Sequence, residues 1–335
     1  MRGSSNGRRP GILERLARDV VLGDGGYILE LERRGYVQAG PYTPEVAVEH
    51  PEALRQLHAE FLRAGAEVLQ ALTFYASRDK LATVGLEDKL EELNRTAVRI
   101  ARDAAAGRCL VAGNLSLTWM YEEGSQKARD RVASTFDEQL KQQVEVGVDF
   151  IIGETFSWLG EALIAAERAK KTGLPVMVTM SFEDKDVTSD GKTPADCARA
   201  LRDAGCDIVG INCLRNPDTT LPLAEQMVEA VDIYVATQPA GYRTPPGKPD
   251  FTSLPEFPTG LDPLQWSRHQ MADYARRAQD AGIRYIGACC GVVATHIREM
   301  AIALGKMERD RKLWKTGGER PMSAFEYYGH DKKSG

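Results

Sequence analysis

The sequence lacks any long apolar run. A helix that spans a bilayer needs about 20 consecutive, mostly apolar residues, and no stretch of the 335 residues approaches that length. Residues 1–10 are polar and basic, without the apolar segment of a signal peptide. These absences predict a cytoplasmic protein that has no membrane as a partner.

Strong charge of either sign is also missing. The formal net charge is −5 and the isoelectric point is about 5.7, which argues against nucleic acid and anionic membrane surfaces as partners. Six cysteines are few for this length, and their spacing is not that of a disulfide framework. Such thiols fit a reducing compartment, where they serve metals or catalysis.

The first apolar run does not lead into a phosphate-binding loop. It ends in Gly23-Asp24-Gly25-Gly26, which has neither the GxGxxG spacing nor a Gly-Lys-Ser/Thr sequence. We therefore predict no nucleotide site at this segment.

Eight apolar runs alternate with helical segments along the chain. Helix starts are marked by a capping hydroxyl followed by proline, as at Thr43-Pro44 and Thr193-Pro194. Near-continuous apolar strands are typical of parallel sheets covered on both faces, and eight alternating units favour the α/β class and a (β/α)8 TIM barrel. The predicted strands comprise residues 20–22, 67–75, 110–116, 150–156, 176–182, 208–213, 233–238 and 285–289.

The predicted barrel is a single domain over residues 11–305. Residues 1–10 are predicted to be a flexible N-terminus, and residues 306–335 a short polar C-terminal tail. Residues 239–263, after the seventh strand, hold seven of the sixteen prolines together with Tyr242, Phe251 and Phe257. A long loop on that side of a barrel is either a semi-rigid lid over the active site or a linker packed on the rim.

Polar residues collect where the predicted strands end, which is the active-site face of this fold. Glu154 interrupts the apolar run 150–156, and a buried carboxylate needs a cationic or hydrogen-bonding partner. Contact with a ligand and a structural ion pair are the two interpretations of Glu154. The strand ends carry Asp24, Tyr75, Ser116, Glu154, Cys213, Gln238, Cys289 and Cys290.

Three of the cysteines stand at strand ends. Cys289 and Cys290 are adjacent and can face one ion only if the chain turns, for which Gly291 is suited. With Cys213 they would form a three-thiolate site with an open fourth position, as in catalytic zinc sites, and a redox pair is the competing interpretation. The other cysteines are predicted to pack as small apolar groups, and they are Cys109, Cys197 and Cys206.

These motifs together resemble the zinc-dependent homocysteine S-methyltransferase family. The likeness rests on Asp24-Gly25-Gly26, on Cys213 and on Gly287-Ala288-Cys289-Cys290-Gly291, and it extends from Gly11 to about Leu304. Further stretches resemble the branch of the family that takes its methyl group from betaine. They are Glu49-His50-Pro51-Glu52-Ala53, Glu60-Phe61-Leu62-Arg63-Ala64-Gly65, Thr73-Phe74-Tyr75-Ala76-Ser77, Leu254-Pro255-Glu256-Phe257-Pro258 and Arg284-Tyr285-Ile286-Gly287.

The resemblance implies a Zn²⁺ enzyme that moves a methyl group from glycine betaine to homocysteine, giving dimethylglycine and methionine. It makes Cys213, Cys289 and Cys290 the zinc ligands, with the homocysteine sulfur at the open position. A free thiol is mostly protonated at neutral pH, and zinc coordination deprotonates it.

The same resemblance assigns the rest of the homocysteine site. Asp24 and Glu154 would meet the amino group, and the backbone N–H groups of Gly25 and Gly26 would meet the carboxylate. Asp24, Glu154 and Tyr75 are the catalytic candidates, and Tyr75 is also a candidate for the open zinc position when homocysteine is absent.

A betaine-like donor is a cation without an N–H group, and aromatic faces recognise such cations. Tyr42 lies in the polar turn Gly40-Pro41-Tyr42-Thr43, so we expect it to be the least buried of the aromatic candidates. The donor-site candidates are Tyr27, Tyr42, Phe74 and Tyr75, and Thr43 is a further substrate-binding candidate.

Two residues depart from the betaine branch. Tyr42 stands where those enzymes carry tryptophan, and Thr155 where they carry tyrosine. A sulfonium donor, dimethylsulfoniopropionate or S-methylmethionine, is therefore an alternative. A folate–corrinoid methyl source is a second one, although the chain contains no cobalamin domain. A barrel that only holds zinc or senses thiol redox state is a third. Animal members continue into a C-terminal arm used in oligomer contacts, so a homo-oligomer here is expected to use other surfaces.

Overall fold

The computed structural model describes residues 9–309, and the centre of the fold is a sheet of eight parallel strands. The strands are β1 (Val21–Leu22), β2 (Val68–Gln70), β3 (Leu110–Ser116), β4 (Phe150–Phe156), β5 (Val176–Met180), β6 (Ile208–Asn212), β7 (Tyr234–Gln238) and β8 (Tyr285–Ile286). From β2 to β8 each strand pairs with the next one along the chain, and β1 pairs with β8. This order is that of the predicted (β/α)8 barrel, which is confirmed.

The barrel closes between β1 and β2 through Glu67, which precedes β2. Its N–H donates to the Leu22 oxygen at 2.8 Å, and its carboxylate accepts from the Leu22 N–H at 2.9 Å. A side chain thus supplies one of the hydrogen bonds that a regular ladder would take from the backbone.

Helices surround the sheet and connect its strands. They are α1 (Ile12–Leu16), α2 (Ile28–Arg33), α3 (Val46–Glu49), α4 (Pro51–Arg63), α5 (Arg78–Ala82), α6 (Leu90–Ala105), α7 (Gln126–Val146), α8 (Leu159–Lys170), α9 (Pro194–Asp203), α10 (Pro217–Ala230), α11 (Arg268–Asp280) and α12 (Ala294–Ala303). The predicted cap at Thr193 is confirmed, because its hydroxyl accepts from the Asp196 N–H while the Asp196 carboxylate accepts from the Thr193 N–H.

The barrel interior changes from apolar to polar along the strands. Side chains alternate between the two faces of a strand, and on β4 Phe150 and Ile152 lie in a buried inner cluster that α1 closes with Ile12 and Leu16. The next residue of that face is Glu154. Equivalent steps along β2, β3, β6 and β7 lead to Gln70, Asn114, Asn212 and Gln238. The upper layer of the interior is therefore a set of polar side chains beneath the active-site face.

Several element bounds differ from the predictions. The second strand was expected to continue to residue 75, but β2 ends at Gln70, and the chain then turns through a Thr73 N–H bond to the Ala71 oxygen. Thr43 does not cap a helix, because its hydroxyl donates to Glu45 and α3 begins only at Val46. Most of the predicted N-terminus (1–10) and C-terminal tail (306–335) lies outside the described residues.

None of the helices within residues 9–309 combines the length and the apolar character that crossing a membrane requires.

Candidate active site

Three cysteine side chains meet at the C-terminal end of the barrel. Cys213 directly follows β6, and Cys289 and Cys290 follow β8. The Cys290 sulfur lies 3.7 Å from that of Cys213 and 4.0 Å from that of Cys289. Cys213 and Gly291 have φ angles of 57° and 81°, so the turn predicted at Gly291 is present and helps to bring adjacent cysteines to one point.

The spacing of the sulfurs fits a tetrahedral zinc ion. Zn–S bonds of about 2.3 Å at tetrahedral angles place sulfurs about 3.8 Å apart. The distances from the Cys290 sulfur to those of Cys213 and Cys289 are close to this value. Hydrogen bonds from the other two thiols hold the pKa of Cys213 well below its usual range, which favours a thiolate there. Among the described residues, this is the group of three metal-ligating side chains that can share one ion.

The remaining cysteines are confirmed as packing residues. Cys109, Cys197 and Cys206 are buried in the apolar core, and burial raises their pKa values to about 11, 12 and 12. These thiols are protonated at neutral pH and lie away from the cluster.

Asp24 follows β1 and is 2% exposed. Its Oδ2 accepts from the Tyr27 hydroxyl at 2.5 Å and from the Gln70 N–H at 2.7 Å. Burial raises the pKa of Asp24 to about 7, and these hydrogen bonds oppose the rise. The carboxylate is thus held by neutral partners and gains from any cation that enters the site.

Glu154 is buried on β4 among three amide side chains. Its Oε1 accepts from Gln70 at 2.6 Å and Asn114 at 2.7 Å, and its Oε2 accepts from Asn212 at 3.2 Å. Burial raises its pKa to about 8, and the charge of Cys213 acts in the same direction. A structural ion pair is therefore not found at Glu154 in the part of the chain that the structure describes.

One cavity contains both carboxylates and all three cysteines, and its charged lining residues are both acidic, Asp24 and Glu154. Such a lining favours cationic ligands. Aromatic rings form much of its wall, and they belong to Tyr27, Tyr42, Phe74, Tyr75, Phe251 and Phe257.

The aromatic candidates occupy different positions in this wall. Tyr42 was expected to be the least buried, which is wrong: it is 9% exposed because Phe257 packs on it at a ring separation of 6.2 Å. The rings of Phe74 and Tyr75 are 4.3 Å apart. Tyr75 has a φ of 57° and donates its N–H to Ser116, and burial raises its pKa to about 12.

The glycine and threonine candidates are only partly brought to the cavity. Gly25 and Gly26 line it, but the Gly26 N–H donates to the Val292 oxygen at 2.9 Å. This N–H is therefore engaged within the protein, and its contact with a ligand carboxylate stays a prediction. Thr43 is buried and is not part of the cavity wall, and its hydroxyl bonds to Glu45 at 2.7 Å.

Sequence reasoning missed the amides that hold Glu154. Gln70, Asn114 and Asn212 each interrupt an apolar strand near its C-terminal end, which is the same signal that identified Glu154. It also missed His58 of α4, whose Nδ1 lies 2.9 Å from the Tyr27 hydroxyl. A histidine on the apolar face of a helix carries no comparable signal.

The sequence comparison assigns the chain to a family. A family model described as homocysteine S-methyltransferase matches residues 21–304. The chain belongs to the homocysteine S-methyltransferase family. Members of this family are methyltransferases, which is the enzyme class that the resemblance implied.

Curated relatives within the family differ in their methyl donors. Betaine–homocysteine S-methyltransferase 1 of Mus musculus is 46% identical over 305 residues, which are 88% of this chain and 74% of that protein. S-methylmethionine–homocysteine S-methyltransferase of Pongo abelii is 43% identical over 303 residues, 88% of this chain and 81% of that protein. Identity alone therefore separates the two donor classes only slightly.

A solved structure supports the architecture. The metallated form of a homocysteine methyltransferase from Escherichia coli superimposes with a TM-score of 0.68 at 22% identity, covering 84% of this chain and 96% of that one. At this identity the likeness concerns the barrel fold alone.

Proposed function

We propose that this protein is a zinc-dependent S-methyltransferase that moves a methyl group from glycine betaine to homocysteine, giving dimethylglycine and methionine. The observation that carries the proposal is the juxtaposition of three thiols at zinc spacing with two buried carboxylates in one aromatic-lined cavity. The identity of 46% to a betaine-dependent relative, against 43% to the S-methylmethionine-dependent one, gives betaine a slight preference as the donor.

Zinc is the proposed cofactor because Cys213, Cys289 and Cys290 would hold it and would leave a fourth position for a ligand in the cavity. When bound there, the ion supplies a site at which the homocysteine thiol is deprotonated and remains a nucleophile. No fourth His, Cys, Asp or Glu joins these three thiols among the described residues.

Asp24 and Glu154 are proposed to bind the ammonium group of homocysteine. Both are buried and bound to neutral partners, so a cationic ligand would offset the cost of ionising them. The Gly25 N–H is the remaining glycine candidate for the ligand carboxylate, because that of Gly26 is engaged. This arrangement would direct the sulfur toward the cysteine cluster.

The donor is proposed to lie against the aromatic wall formed by Tyr42, Phe74 and Tyr75. Aromatic faces and an acidic lining both stabilise a cation without requiring N–H donors. In the transfer, a sulfur lone pair forms a bond to the methyl carbon while the carbon–nitrogen bond breaks, and its electrons stay on nitrogen. The leaving amine is neutral, so no general acid is needed.

A sulfonium donor is the second candidate, and the identity to the S-methylmethionine enzyme favours it over the corrinoid alternative. Zinc-loaded protein is to be incubated with homocysteine and, separately, glycine betaine, dimethylsulfoniopropionate and S-methylmethionine. Methionine is measured by mass spectrometry, with Cys290→Ala protein as the control.

Methionine from betaine is the expected result. Product from sulfonium donors alone would reassign the donor. If no donor gives product although zinc is bound, the alternative of a barrel that only holds zinc would be favoured.

The six free cysteines support a reducing location, the cytoplasm.

Residues 239–263 are proposed to be a lid, because Phe251 and Phe257 from this segment line the cavity. The segment is expected to gain hydrogen-exchange protection when both substrates are bound. If protection does not change in the presence of homocysteine and donor, the segment is a linker packed on the rim of the barrel.

A further inference from the structure

A buried hydrogen-bonded chain lies behind Asp24 and has no part in the reaction described above. The Tyr27 hydroxyl is 2.5 Å from Asp24 Oδ2 and 2.9 Å from His58 Nδ1. Helix α4 supplies both His58 and Phe61, and the Phe61 ring meets the Tyr27 ring edge-on at 5.2 Å. Tyr27 is thus fixed through its ring and through its hydroxyl.

The direction of the hydrogen bonds follows from counting protons. A tyrosine hydroxyl has one proton, and the short bond to the carboxylate, which can only accept when ionised, takes it. The 2.9 Å contact then requires His58 Nδ1 to be the donor. His58 is 0% exposed, and burial lowers its pKa to about 3, so the ring is neutral with its proton on Nδ1.

The surroundings of the other ring nitrogen agree with this tautomer. His58 Nε2 is buried without a hydrogen-bond partner. A bare acceptor is tolerated in a protein interior more often than an orphaned N–H, so the Nδ1–H form is preferred on this side too. Every bond in the chain therefore points toward Asp24.

We propose that Tyr27 and His58 are positioning residues, which hold Asp24 as a carboxylate through a one-way chain from His58 Nδ1–H to the Tyr27 oxygen and from the Tyr27 hydroxyl to Oδ2. The hydrogen bonds from the Tyr27 hydroxyl and the Gln70 N–H both end on Oδ2 of Asp24. Oδ1 is left for the ammonium group of the substrate. The inference rests on the proposed function for the identity of that substrate.

This role differs from the one predicted for Tyr27 from the sequence. Tyr27 was a candidate aromatic face for the methyl donor, but its hydroxyl is tied to Asp24, on the homocysteine side of the site. The chain therefore acts on homocysteine affinity and not on the choice of donor.

The tautomer is tested first, because it needs neither substrate nor turnover. Zinc-loaded protein with ¹⁵N-labelled histidine is examined by long-range ¹H–¹⁵N correlation, in which the Nδ1–H and Nε2–H forms have different nitrogen shifts. We expect Nδ1–H for His58. An Nε2–H or doubly protonated ring would overturn the proposal.

The second test measures homocysteine binding by calorimetry. Tyr27→Phe keeps the ring and removes the hydroxyl, and it should weaken binding about tenfold, as expected for a lost hydrogen bond to a charged group. Tyr234→Phe, at the opposite end of the barrel, is the matched control and should bind within about twofold of the wild type. Equal affinity of Tyr27→Phe and wild type would overturn the proposal.

His58 variants separate positioning from folding. Asparagine can place an N–H near the position of Nδ1, so His58→Asn should bind homocysteine close to the wild-type level. His58→Leu should bind as weakly as Tyr27→Phe, and equal binding by both His58 variants would overturn the His58 step. If wild-type protein itself fails to bind homocysteine, the proposed function fails, while the tautomer result still tests the chain.

Discussion

Replacing Asp24 with asparagine should stabilise the protein and weaken homocysteine binding. Burial raises the pKa of Asp24 from 3.8 to about 7, so ionisation of this carboxylate opposes folding. A group whose pKa is higher in the folded protein than in the unfolded chain makes its full contribution to stability below the unfolded-state pKa. This contribution is lost as the pH rises through the folded-state pKa. Asparagine does not ionise, and its oxygen can still accept from Tyr27 and Gln70.

The size of the effect follows from the shift. Each pKa unit corresponds to about 1.4 kcal/mol, so a rise from 3.8 to about 7 destabilises the wild type by at most about 4 kcal/mol at pH 8. At pH 5 the wild type is destabilised by only about 1.5 kcal/mol, because the carboxyl is protonated in the folded protein and pH 5 is not far above its unfolded-state pKa. The free energy of unfolding of Asp24→Asn, relative to that of the wild type, should therefore increase by at most about 2.5 kcal/mol from pH 5 to pH 8.

Urea unfolding of zinc-loaded protein at pH 5 and pH 8, without homocysteine, measures this difference. Glu154 has a raised pKa as well, and comparing Asp24→Asn with the wild type largely cancels its contribution. Calorimetry should show weaker homocysteine binding by the variant. A stability difference that does not change with pH, or that falls at pH 8, would refute the argument from burial.

Three further changes test the remaining site. Cys290→Ala should lose zinc and activity together, whereas Cys206→Ala, at a buried thiol outside the cluster, should retain its metal. Zinc content is measured by plasma mass spectrometry, and stoichiometric zinc in Cys290→Ala would disprove the ligand assignment. Glu154→Gln should keep zinc but bind homocysteine about tenfold more weakly in calorimetry, since a charged acceptor is lost; unchanged affinity would remove it from the ammonium site. Gly26→Ala should lower the zinc content, because the added Cβ would lie 2.7 Å from the Cys289 oxygen; wild-type zinc content would show that the loop moves to accommodate it.

The sequence is most informative where a periodic pattern repeats. Strands β3 and β4 have the predicted bounds, because each is a full apolar run that closes with a polar residue or a turn. Strand β2 is shorter than predicted, because residues 71–73 are buried, and residues 74–75 half-buried, by tertiary packing after the strand has ended at Gln70. Apolar composition reports burial and cannot separate these two cases.

The site shows the same division. The cysteines, Asp24 and Glu154 break apolar runs at strand ends, so their convergence could be predicted from the fold. The burial of Tyr42 depends on Phe257, which is more than 200 residues away in the chain. The hydrogen bond that engages the Gly26 N–H depends likewise on the distant Val292. Such long-range contacts leave no local pattern.

Gln70 serves the two carboxylates by different means. Its backbone N–H binds Asp24 and its side-chain amide binds Glu154. Every amino acid except proline would keep the first bond, whereas few would keep the second. A substitution at position 70 can therefore change the hydrogen bonding of Glu154 during evolution while the hydrogen bond to Asp24 is kept. Substrate affinity can thus change at this position without loss of the rest of the site.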